Sequence, residues 1–420
     1  MSLSSQRLAA ADEANLVLDH AGQVNVFLVA GLLDPGGFVG ADGDPDLGAL
    51  RAAVRERLAG LPQLRQVLTG RGFRHRWAAA QPDLEQHVRL GPAVHGLPGL
   101  EILCGDLMGT PLLRGLPLWE LLVMPDAGSR RVWIVLRIHH AVADGIQAVA
   151  IAGQLFDPPA PAAAPAASEP RPRDPQRRHP LATLRTFLFG LHRTRLTLTA
   201  SGVGATVLLG PRSANRGVAF VDIDLAALEA NTRPRGATLN DALLASVAAG
   251  YRAALPAAGE PLPARLPVSI PVALQRRGTS GNQVGVMLVQ LPLQVPDADD
   301  RLRLIAEQSR AEKGRARQQG TLELMRGPVG ASIMNRLAQR QHLVAGFVTN
   351  VPGPPARLHL AGAPVAAIWP VAVIAANVRL GVAAISYAGR LSCSVHFDAR
   401  YVPGAVFAGA MADELARLSA

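Results

Sequence analysis

The pattern of apolar and polar positions predicts that the first part of the chain alternates strands and helices. Short apolar runs, typical of buried strands, occupy residues 24–30, 121–124 and 132–138. Apolar residues recur at helical spacing over 46–58, and the apolar run 146–156 is also typical of a helix. We therefore expect residues 1–156 to form one α/β unit.

The same pattern predicts a second unit over residues 217–420. Its strands are expected at 218–223, 266–270, 284–293, 344–349 and 378–387. Its helices are expected at 239–255, 300–315 and 406–418. A chain of 420 residues is longer than one ordinary hydrophobic core requires, so its length also favours two domains.

Residues 157–216 separate these two units. The stretch 157–180 is rich in proline, alanine and arginine, which predicts an extended linker. Residues 181–195 combine apolar side chains with arginines, so a helix there would be amphipathic and basic. Such a helix suits a membrane surface, but it could equally pack between the two domains, and the sequence leaves both open.

The net charge and the cysteines limit which binding partners and which cellular compartment are expected. A net charge of +10 favours anionic lipid head groups or the phosphates of coenzyme A. Nucleic acid is not expected as a partner, because the arginines are dispersed and few aromatic residues lie among them. The first 19 residues lack signal-peptide features, and Cys104 and Cys393 lie far apart. These features predict a cytoplasmic protein.

The candidate chemistry lies in the motif His139-His140-Ala-Val-Ala-Asp144-Gly145, which follows the apolar run 132–138. Adjacent side chains on a strand point to opposite faces, so one ring can enter a cleft while the other packs behind it. An imidazole with a pKa near neutrality suits the removal of a proton from an alcohol. One half-buried histidine would be unremarkable, but the pair with an aspartate and a glycine favours a functional site.

Motifs for other chemistries are absent from the sequence. No HExxH occurs, and adjacent histidines diverge too far for chelation, so no metal site is predicted. No GxSxG elbow, GxxxxGK[ST] loop or well-placed GxGxxG segment is found. The remaining hypothesis is a single general base that assists the transfer of a group from one substrate to another.

Three further segments supply candidate residues. In Pro117-Leu-Trp-Glu120, Trp119 and Glu120 are candidates to brace the histidine strand. In Thr238-Leu-Asn-Asp241, the first and last residues suit a helix cap, which leaves the Asn240 amide for a contact across the domain interface. Asn350-Val-Pro-Gly353 predicts a tight turn, either purely structural or close to a ligand, and 386–389 predicts a hairpin turn.

These segments, with PVS at 267–269 and GN at 281–282, resemble in order the bacterial bifunctional wax ester synthase/diacylglycerol acyltransferase family. The resemblance covers nearly the whole chain, from about Arg7 to about Leu418. The histidine motif is shared with peptide-synthetase condensation domains and plant acyltransferases. The PLWE, ND and NVPGP segments narrow the resemblance to this family, and the plant DFGWG motif is absent.

The resemblance implies an α/β fold of two chloramphenicol-acetyltransferase-like domains, each a mixed sheet with flanking helices, around a central tunnel. It implies that His140 is the general base, that His139 supports it and that Asp144 organises the loop. Gly145 would allow a substrate to approach closely. Substrate-binding roles are implied for Trp119, Asn240, Asn282 and Asn350.

The resemblance also implies a reaction. An acyl group would pass from acyl-CoA, a co-substrate with no bound cofactor beside it, to the hydroxyl of diacylglycerol or of a fatty alcohol. The protein would act in the cytoplasm, peripherally bound to the inner membrane or to lipid droplets. Two alternatives stay open: transfer to a secondary-metabolite or carrier-bound acceptor, and a non-catalytic lipid-binding protein. The intact histidine motif argues against the second.

The sequence departs from the usual family pattern at a few positions. Pro271 stands where an arginine is often found, and Arg276 and Arg277 follow it. The segment QVNVF at 23–27 stands where a Met-His pair is more usual. These differences concern substrate choice and carrier-phosphate contacts and leave the histidine chemistry unchanged.

Overall fold

The structure is a computed structural model that describes most of the chain. The described ranges are 5–8, 10–19, 22–71, 75–143, 145–157, 202–273, 284–318, 336 and 338–420. The amphipathic segment 181–195 and nearly all of the predicted linker lie outside them, as do Asp144, Asn282, Arg276 and Arg277.

Within the described residues, six strands form a first sheet around the histidine motif. In spatial order they are His359–Leu360, Ala363–Val371, Val26–Leu33, Val132–His139, Trp119–Pro125 and Val88–Leu90. The strand that leads to the motif is central and buried along its whole length. Its apolar run therefore reflects burial on both faces rather than on one.

A second sheet of six strands is built from described residues of the C-terminal half. In order they are Val284–Pro292, Arg265–Ala273, Gly346–Pro352, Leu380–Tyr387, Arg390–Asp398 and Arg216–Asp224. Gly346–Pro352 runs parallel to its neighbours while the other pairs are antiparallel, so the sheet is mixed. A small third sheet contains Ser5–Arg7, Arg76–Ala79 and Gln66–Thr69.

Helices flank the sheets. The α-helices are α1 Ala10–Leu18, α2 Leu47–Leu58, α3 Leu84–His87, α4 Gly96–Gly109, α5 Gly145–Leu155, α6 Leu225–Thr232, α7 Leu239–Ala257, α8 Ala298–Gln318 and α9 Gly404–Ser419. Two short 3-10 helices span Pro62–Leu64 and Arg233–Arg235. One apolar cluster joins α2 and α5 to the first sheet, and a larger one joins α7, α8 and α9 to the second.

Two strands of the C-terminal half, His359–Leu360 and Ala363–Val371, lie in the first sheet. Ala363–Val371 pairs antiparallel with Val26–Leu33, where Trp369 lies opposite Ala30. The sequence pattern does not reveal Ala363–Val371 as a strand, because Pro364 and Pro370 interrupt it and its alanines weaken the contrast between apolar and polar positions. The two halves are therefore joined by an exchanged strand that a division at residues 156 and 217 does not predict.

The elements expected from the sequence are present, with ends shifted by up to three residues. The helix expected over 46–58 spans Leu47–Leu58, and the Asp46 side chain caps it. Helix α4 was not expected, because its glycines and Pro98 interrupt the apolar periodicity. The strand Arg390–Asp398 was also missed, since its serines, histidine and cysteine resemble no apolar run.

Candidate active site

The two histidines of the motif lie at the end of the central strand in different surroundings. His139 is the last strand residue and is 2% exposed, whereas His140 follows it and is half-buried. The ring of Phe27 meets the His140 ring edge-on, with 5.4 Å between the ring centroids. The more accessible ring is thus that of the residue expected to act as the base.

His139 connects the motif turn to the partly buried carboxylate of Asp19. Its Nδ1 accepts a hydrogen bond of 2.9 Å from the Ala141 amide, which leaves the proton of the neutral ring on Nε2. That Nε2 lies 3.4 Å from Oδ2 of Asp19. The ring therefore connects the turn after His140 to the segment that follows α1.

The Asp19 carboxylate is held in its charged form. Burial alone raises its pKa, but the His139 contact, the Asn25 amide and the Arg114 guanidinium outweigh this and lower the pKa to about 2. The Asn25 amide donates to Oδ1 over 3.1 Å, and Arg114 lies 3.0 Å from Oδ2. Asp19 is thus anionic at every pH at which the protein would work.

The backbone of His140 is fixed on both sides. Its N–H donates to the Asn25 carbonyl over 3.0 Å, and its carbonyl accepts from the Asn15 side-chain amide over 3.2 Å. The Asn25 side chain in turn donates to the Asn15 carbonyl over 2.9 Å. Sequence reasoning missed Asn15, Asp19 and Asn25. The unusual segment QVNVF was the one signal that pointed to Asn25.

Trp119 and Glu120 brace the neighbouring strands. Trp119 is 2% exposed, its Nε1 donates to the Leu64 carbonyl over 2.9 Å, and its ring stacks on His87. Glu120 pairs with the buried Arg137 of the histidine strand and with Arg89. The substrate-binding role expected for Trp119 stays a prediction, since its described contacts are all with the protein interior.

Arg137 links the histidine strand to helix α4. Besides Glu120, its guanidinium donates to the carbonyls of Leu107 and Thr110 at the end of that helix. Burial lowers the pKa of Arg137, and the Glu120 carboxylate opposes this effect. The strand that presents the histidines is therefore fixed by a buried ion pair two residues before His139.

The structure brings Asn240 and Asn350 together, so the described contact of Asn240 lies within the C-terminal half rather than across the domain interface. Nδ2 of Asn350 donates to Oδ1 of Asn240 over 2.7 Å. Oδ1 of Asn350 is buried and has no hydrogen-bond partner among the described residues. Asn240 lies in the first turn of α7, where Thr238 and Asp241 form the expected capping box. The pair therefore leaves a buried acceptor that a bound hydroxyl could satisfy.

The segment 350–353 contacts the hairpin at 386–389. The tight turn expected there is not formed, because the strand Gly346–Pro352 continues through Pro352, which pairs with Ser386. The Gly353 amide donates to the Ser386 carbonyl over 3.0 Å, and a side chain at Gly353 would lie 2.4 Å from that oxygen. The hairpin is the expected one, with Ala388 and Gly389 both at positive φ. Only glycine at 353 permits this close approach.

Tyr387 fastens the exchanged strand to this hairpin. Its hydroxyl donates to the Val365 carbonyl over 2.9 Å and accepts from the Leu358 amide over 2.8 Å. Tyr387 also belongs to the same apolar cluster as Phe27 and Ala143. The hairpin of the C-terminal half is thus packed against the region that carries His140.

The described residues form neither a cluster of metal-binding side chains nor a membrane-spanning helix. Those residues contain no group of three or more His, Cys, Asp and Glu side chains that could hold a metal ion. No helix among them is long and apolar enough to span a bilayer.

Two family models match this chain. The wax ester synthase/diacylglycerol acyltransferase catalytic domain matches residues 8–243, which is more than half of the chain. The WS/DGAT C-terminal domain matches residues 280–419. The chain belongs to the wax ester synthase/diacylglycerol acyltransferase family. It is therefore an acyltransferase of this type, and the resemblance seen in the motifs is confirmed.

Individual relatives agree with this assignment. A Mycobacterium tuberculosis H37Rv protein named as a diacylglycerol O-acyltransferase is 30% identical over 413 residues, which cover 90% of this chain and 89% of the relative. The wax ester synthase/diacylglycerol acyltransferase of Marinobacter aquaeolei VT8 matches the fold with a TM-score of 0.73, at 21% identity and 98% coverage of both chains.

A more distant structure shares the fold. The starter condensation domain of rhizomide synthetase, in complex with C8-CoA and Leu-SNAC, has a TM-score of 0.58 at 14% identity, with coverage of 99% of this chain and 94% of that one. The α/β fold expected from the motifs is confirmed by these neighbours.

Proposed function

We propose that the protein transfers a long-chain acyl group from acyl-CoA to the hydroxyl of diacylglycerol, which forms triacylglycerol. A fatty alcohol is the second acceptor class and would give a wax ester. The observation that carries the proposal is His140, a half-buried imidazole whose backbone is fixed on both sides. The diacylglycerol acyltransferase name of the mycobacterial relative and the C8-CoA complex of the condensation domain support it.

His140 is the general base in this proposal. Its ring removes the proton of the acceptor hydroxyl while the oxygen attacks the thioester carbonyl carbon. The tetrahedral intermediate collapses, the carbon–sulfur bond breaks, and the coenzyme A thiolate receives the proton from the imidazolium. Atoms and charges balance without a metal or redox step.

The surrounding residues would position the base and the substrates. His139 and Asp19 hold the turn after His140, so the ring does not have to be reoriented during the reaction. By family resemblance, Asp144 organises the loop and Gly145, where α5 begins, allows close approach of substrate. The Asn240–Asn350 pair would contact substrate through the unpaired Oδ1 of Asn350.

We place the reaction at the cytoplasmic face of the membrane or at lipid droplets, where diacylglycerol resides. The net charge of +10 supports binding to anionic head groups. Flotation of the purified protein with vesicles, with and without phosphatidylglycerol, measures this. Binding that requires the anionic lipid and weakens with salt is the expected result.

A direct assay tests the reaction itself. The purified protein is mixed with palmitoyl-CoA and either dipalmitoylglycerol or hexadecanol, and both free CoA and the ester product are quantified. We expect CoA release to depend on the acceptor and to equal ester formation. Release without an ester product would refute acyl transfer to these lipids.

A further inference from the structure

A cavity of about 630 Å³ lies directly beside the turn that follows His140. Ala141 and Val142 form part of its wall. Because consecutive Cα atoms are about 3.8 Å apart, the Cα of Val142 lies within about 8 Å of that of His140. Ligand sites typically enclose about 300–1,000 Å³, so the space suits a substrate-sized molecule close to the proposed base.

The small third sheet, the 3-10 helix at 62–64, α1 and α5 all contribute to the walls of this cavity. The small third sheet contributes Trp77, the 3-10 helix at 62–64 contributes Gln63, and α5 contributes Ala150 and Ile151. Trp77 and Ala141 belong to one apolar cluster, so part of the wall is hydrophobic. The cavity is thus built between the N-terminal strands and the helix that begins in the motif.

The polar part of the lining is unusually rich in neutral amides. Four glutamines contribute to it, Gln6, Gln63, Gln66 and Gln154. Among the described residues of this lining, the charged ones are Arg7 and Asp12, whose formal charges cancel. A phosphate-rich ligand would find one cation beside a carboxylate, which disfavours it. A neutral ligand with several hydrogen-bond acceptors matches this lining better, because a glutamine amide carries two N–H donors, of which Gln66 already uses one for the Pro62 carbonyl.

We propose that this cavity holds the glycerol-ester portion of the acceptor, which rests on the acyl transfer proposed above. The glutamine amides donate to the ester carbonyls that lie near the acceptor hydroxyl, while the chains leave over the apolar wall. The site then selects neutral acceptors that carry ester carbonyls beside the hydroxyl over plain fatty alcohols.

The selection follows from hydrogen bonding. A fatty alcohol has one oxygen, which must face His140, so its methylene chain would displace water from the glutamines without replacing those hydrogen bonds. A site built to hydrogen-bond a ligand group discriminates strongly against an analogue that lacks the group. Diacylglycerol supplies two carbonyl oxygens close to its hydroxyl.

Gln63 and Gln154 are suitable positions for a test, because they lie on different elements and Leu is close to Gln in size. Palmitoyl-CoA is given to the enzyme together with dipalmitoylglycerol and hexadecanol in the same mixed micelles. The ratio of triacylglycerol to wax ester then reports relative kcat/KM and does not depend on how much enzyme is active. We expect the ratio to fall about tenfold in Gln63→Leu/Gln154→Leu, as the loss of two hydrogen bonds implies.

Gln294→Leu is the matched control. Gln294 is exposed, lies outside the cavity lining and makes its hydrogen bond to the Leu262 carbonyl. This variant should keep the parental ratio. A ratio in the double variant within twofold of the parental one overturns the proposal, even if both rates fall together. If the double variant yields neither product, Gln154→Leu alone is judged by the same ratio.

The parent protein separates this proposal from the one it rests on. If the parent forms neither ester, acyl transfer to these lipids is wrong and the cavity assignment fails with it. If the parent forms both esters and the product ratio is unchanged in the glutamine variants, acyl transfer stands and the cavity does not select the acceptor.

Discussion

Nε2 of His139 lies 3.4 Å from Oδ2 of Asp19, 120 residues earlier in the chain. Through this contact, the partly buried carboxylate orients the ring whose other nitrogen accepts the Ala141 amide. The inner histidine of the motif therefore acts on the turn that presents His140. In the proposed mechanism, His139 therefore positions the neighbouring base.

Replacing Asp19 tests that positioning role. Asp19→Ala removes the acceptor of the Asn25 amide and the partner of His139, so the His140 backbone loses part of its support. We expect kcat to fall by about 10- to 100-fold with a smaller change in KM, because small displacements of a catalytic group are costly. The exposed Asp413→Ala is the control and should retain parental kcat. An unchanged kcat in Asp19→Ala would contradict the positioning role.

Asp19 should also make the fold sensitive to acid. Its pKa is about 2 in the folded protein, below the value near 4 of an unfolded chain. The carboxylate therefore contributes stability that is complete above about pH 4 and is lost as the pH falls from about 4 to about 2. The contribution is about 2 kcal/mol. The free energy of unfolding of Asp19→Ala should vary less over that range than that of the parent, and equal slopes would contradict it.

His396 predicts a second acid-sensitive step in the C-terminal half. Burial lowers its pKa to about 3, and the Arg216 and Arg212 charges add to this effect, while the hydrogen bond to the Ala372 carbonyl opposes it. The unfolded chain takes up this proton at a higher pH, so stability is complete above about pH 6.5 and is lost progressively as the pH falls toward 3. His396→Gln should flatten urea-unfolding free energies between pH 6.5 and 4, and the exposed His359→Gln should not.

The buried pair Arg137–Glu120 should matter far more than an exposed pair. Arg137→Met leaves Glu120 with Arg89 alone and leaves the Leu107 and Thr110 carbonyls without that donor. Breaking a buried pair in this way costs about 3–5 kcal/mol. Urea denaturation should show this loss in Arg137→Met, and Glu120→Gln in the same background should recover part of it.

The matched control for that pair is Arg303→Met. Arg303 forms exposed pairs with Asp300 and Glu307 within α8. Exposed pairs contribute about 0–1 kcal/mol, so a loss below about 1 kcal/mol is expected. Equal losses of unfolding free energy in the two arginine variants would show that the Arg137–Glu120 pair stabilises the protein no more than an exposed pair does.

The Asn240–Asn350 contact can be measured with a double-mutant cycle. Each asparagine is replaced by alanine singly and together, and kcat/KM for the acyl transfer is compared. Residues in direct contact typically couple by about 0.5–3 kcal/mol, so the double variant should lose less than the sum of the single losses. Strict additivity would contradict a shared function of the pair.

How far the sequence could predict this site depends on the distance between contacting residues. Alternation along a strand was enough to separate His139 from His140, and local capping rules were enough for Thr238 and Asp241. The Asn240–Asn350 contact spans 110 residues, so the sequence suggested each residue without revealing the pair. Asp19 could not be found, because nothing local relates a carboxylate after α1 to a distant strand end.

In the fold, too, locally patterned elements were predicted and elements that depend on long-range pairing were not. Apolar runs predicted three of the six described strands of the first sheet and five of the six of the second, because burial imposes that pattern directly. The exchanged strand Ala363–Val371 depends on tertiary pairing with Val26–Leu33, and its prolines and alanines hide it. A strand with a weak apolar pattern that forms through long-range pairing therefore could not be predicted from the sequence alone.

The most direct test of His140 as the general base compares the acyl-transfer rates of His140→Ala and His95→Ala. His95 is an exposed histidine at the start of α4. Both variants are assayed with palmitoyl-CoA and dipalmitoylglycerol, and triacylglycerol is quantified. Removing a general base typically costs about 10²–10⁴-fold, so His140→Ala should fall into that range while His95→Ala matches the parent. A folded His140→Ala protein that forms triacylglycerol at the parental rate would contradict the assignment of His140 as the base.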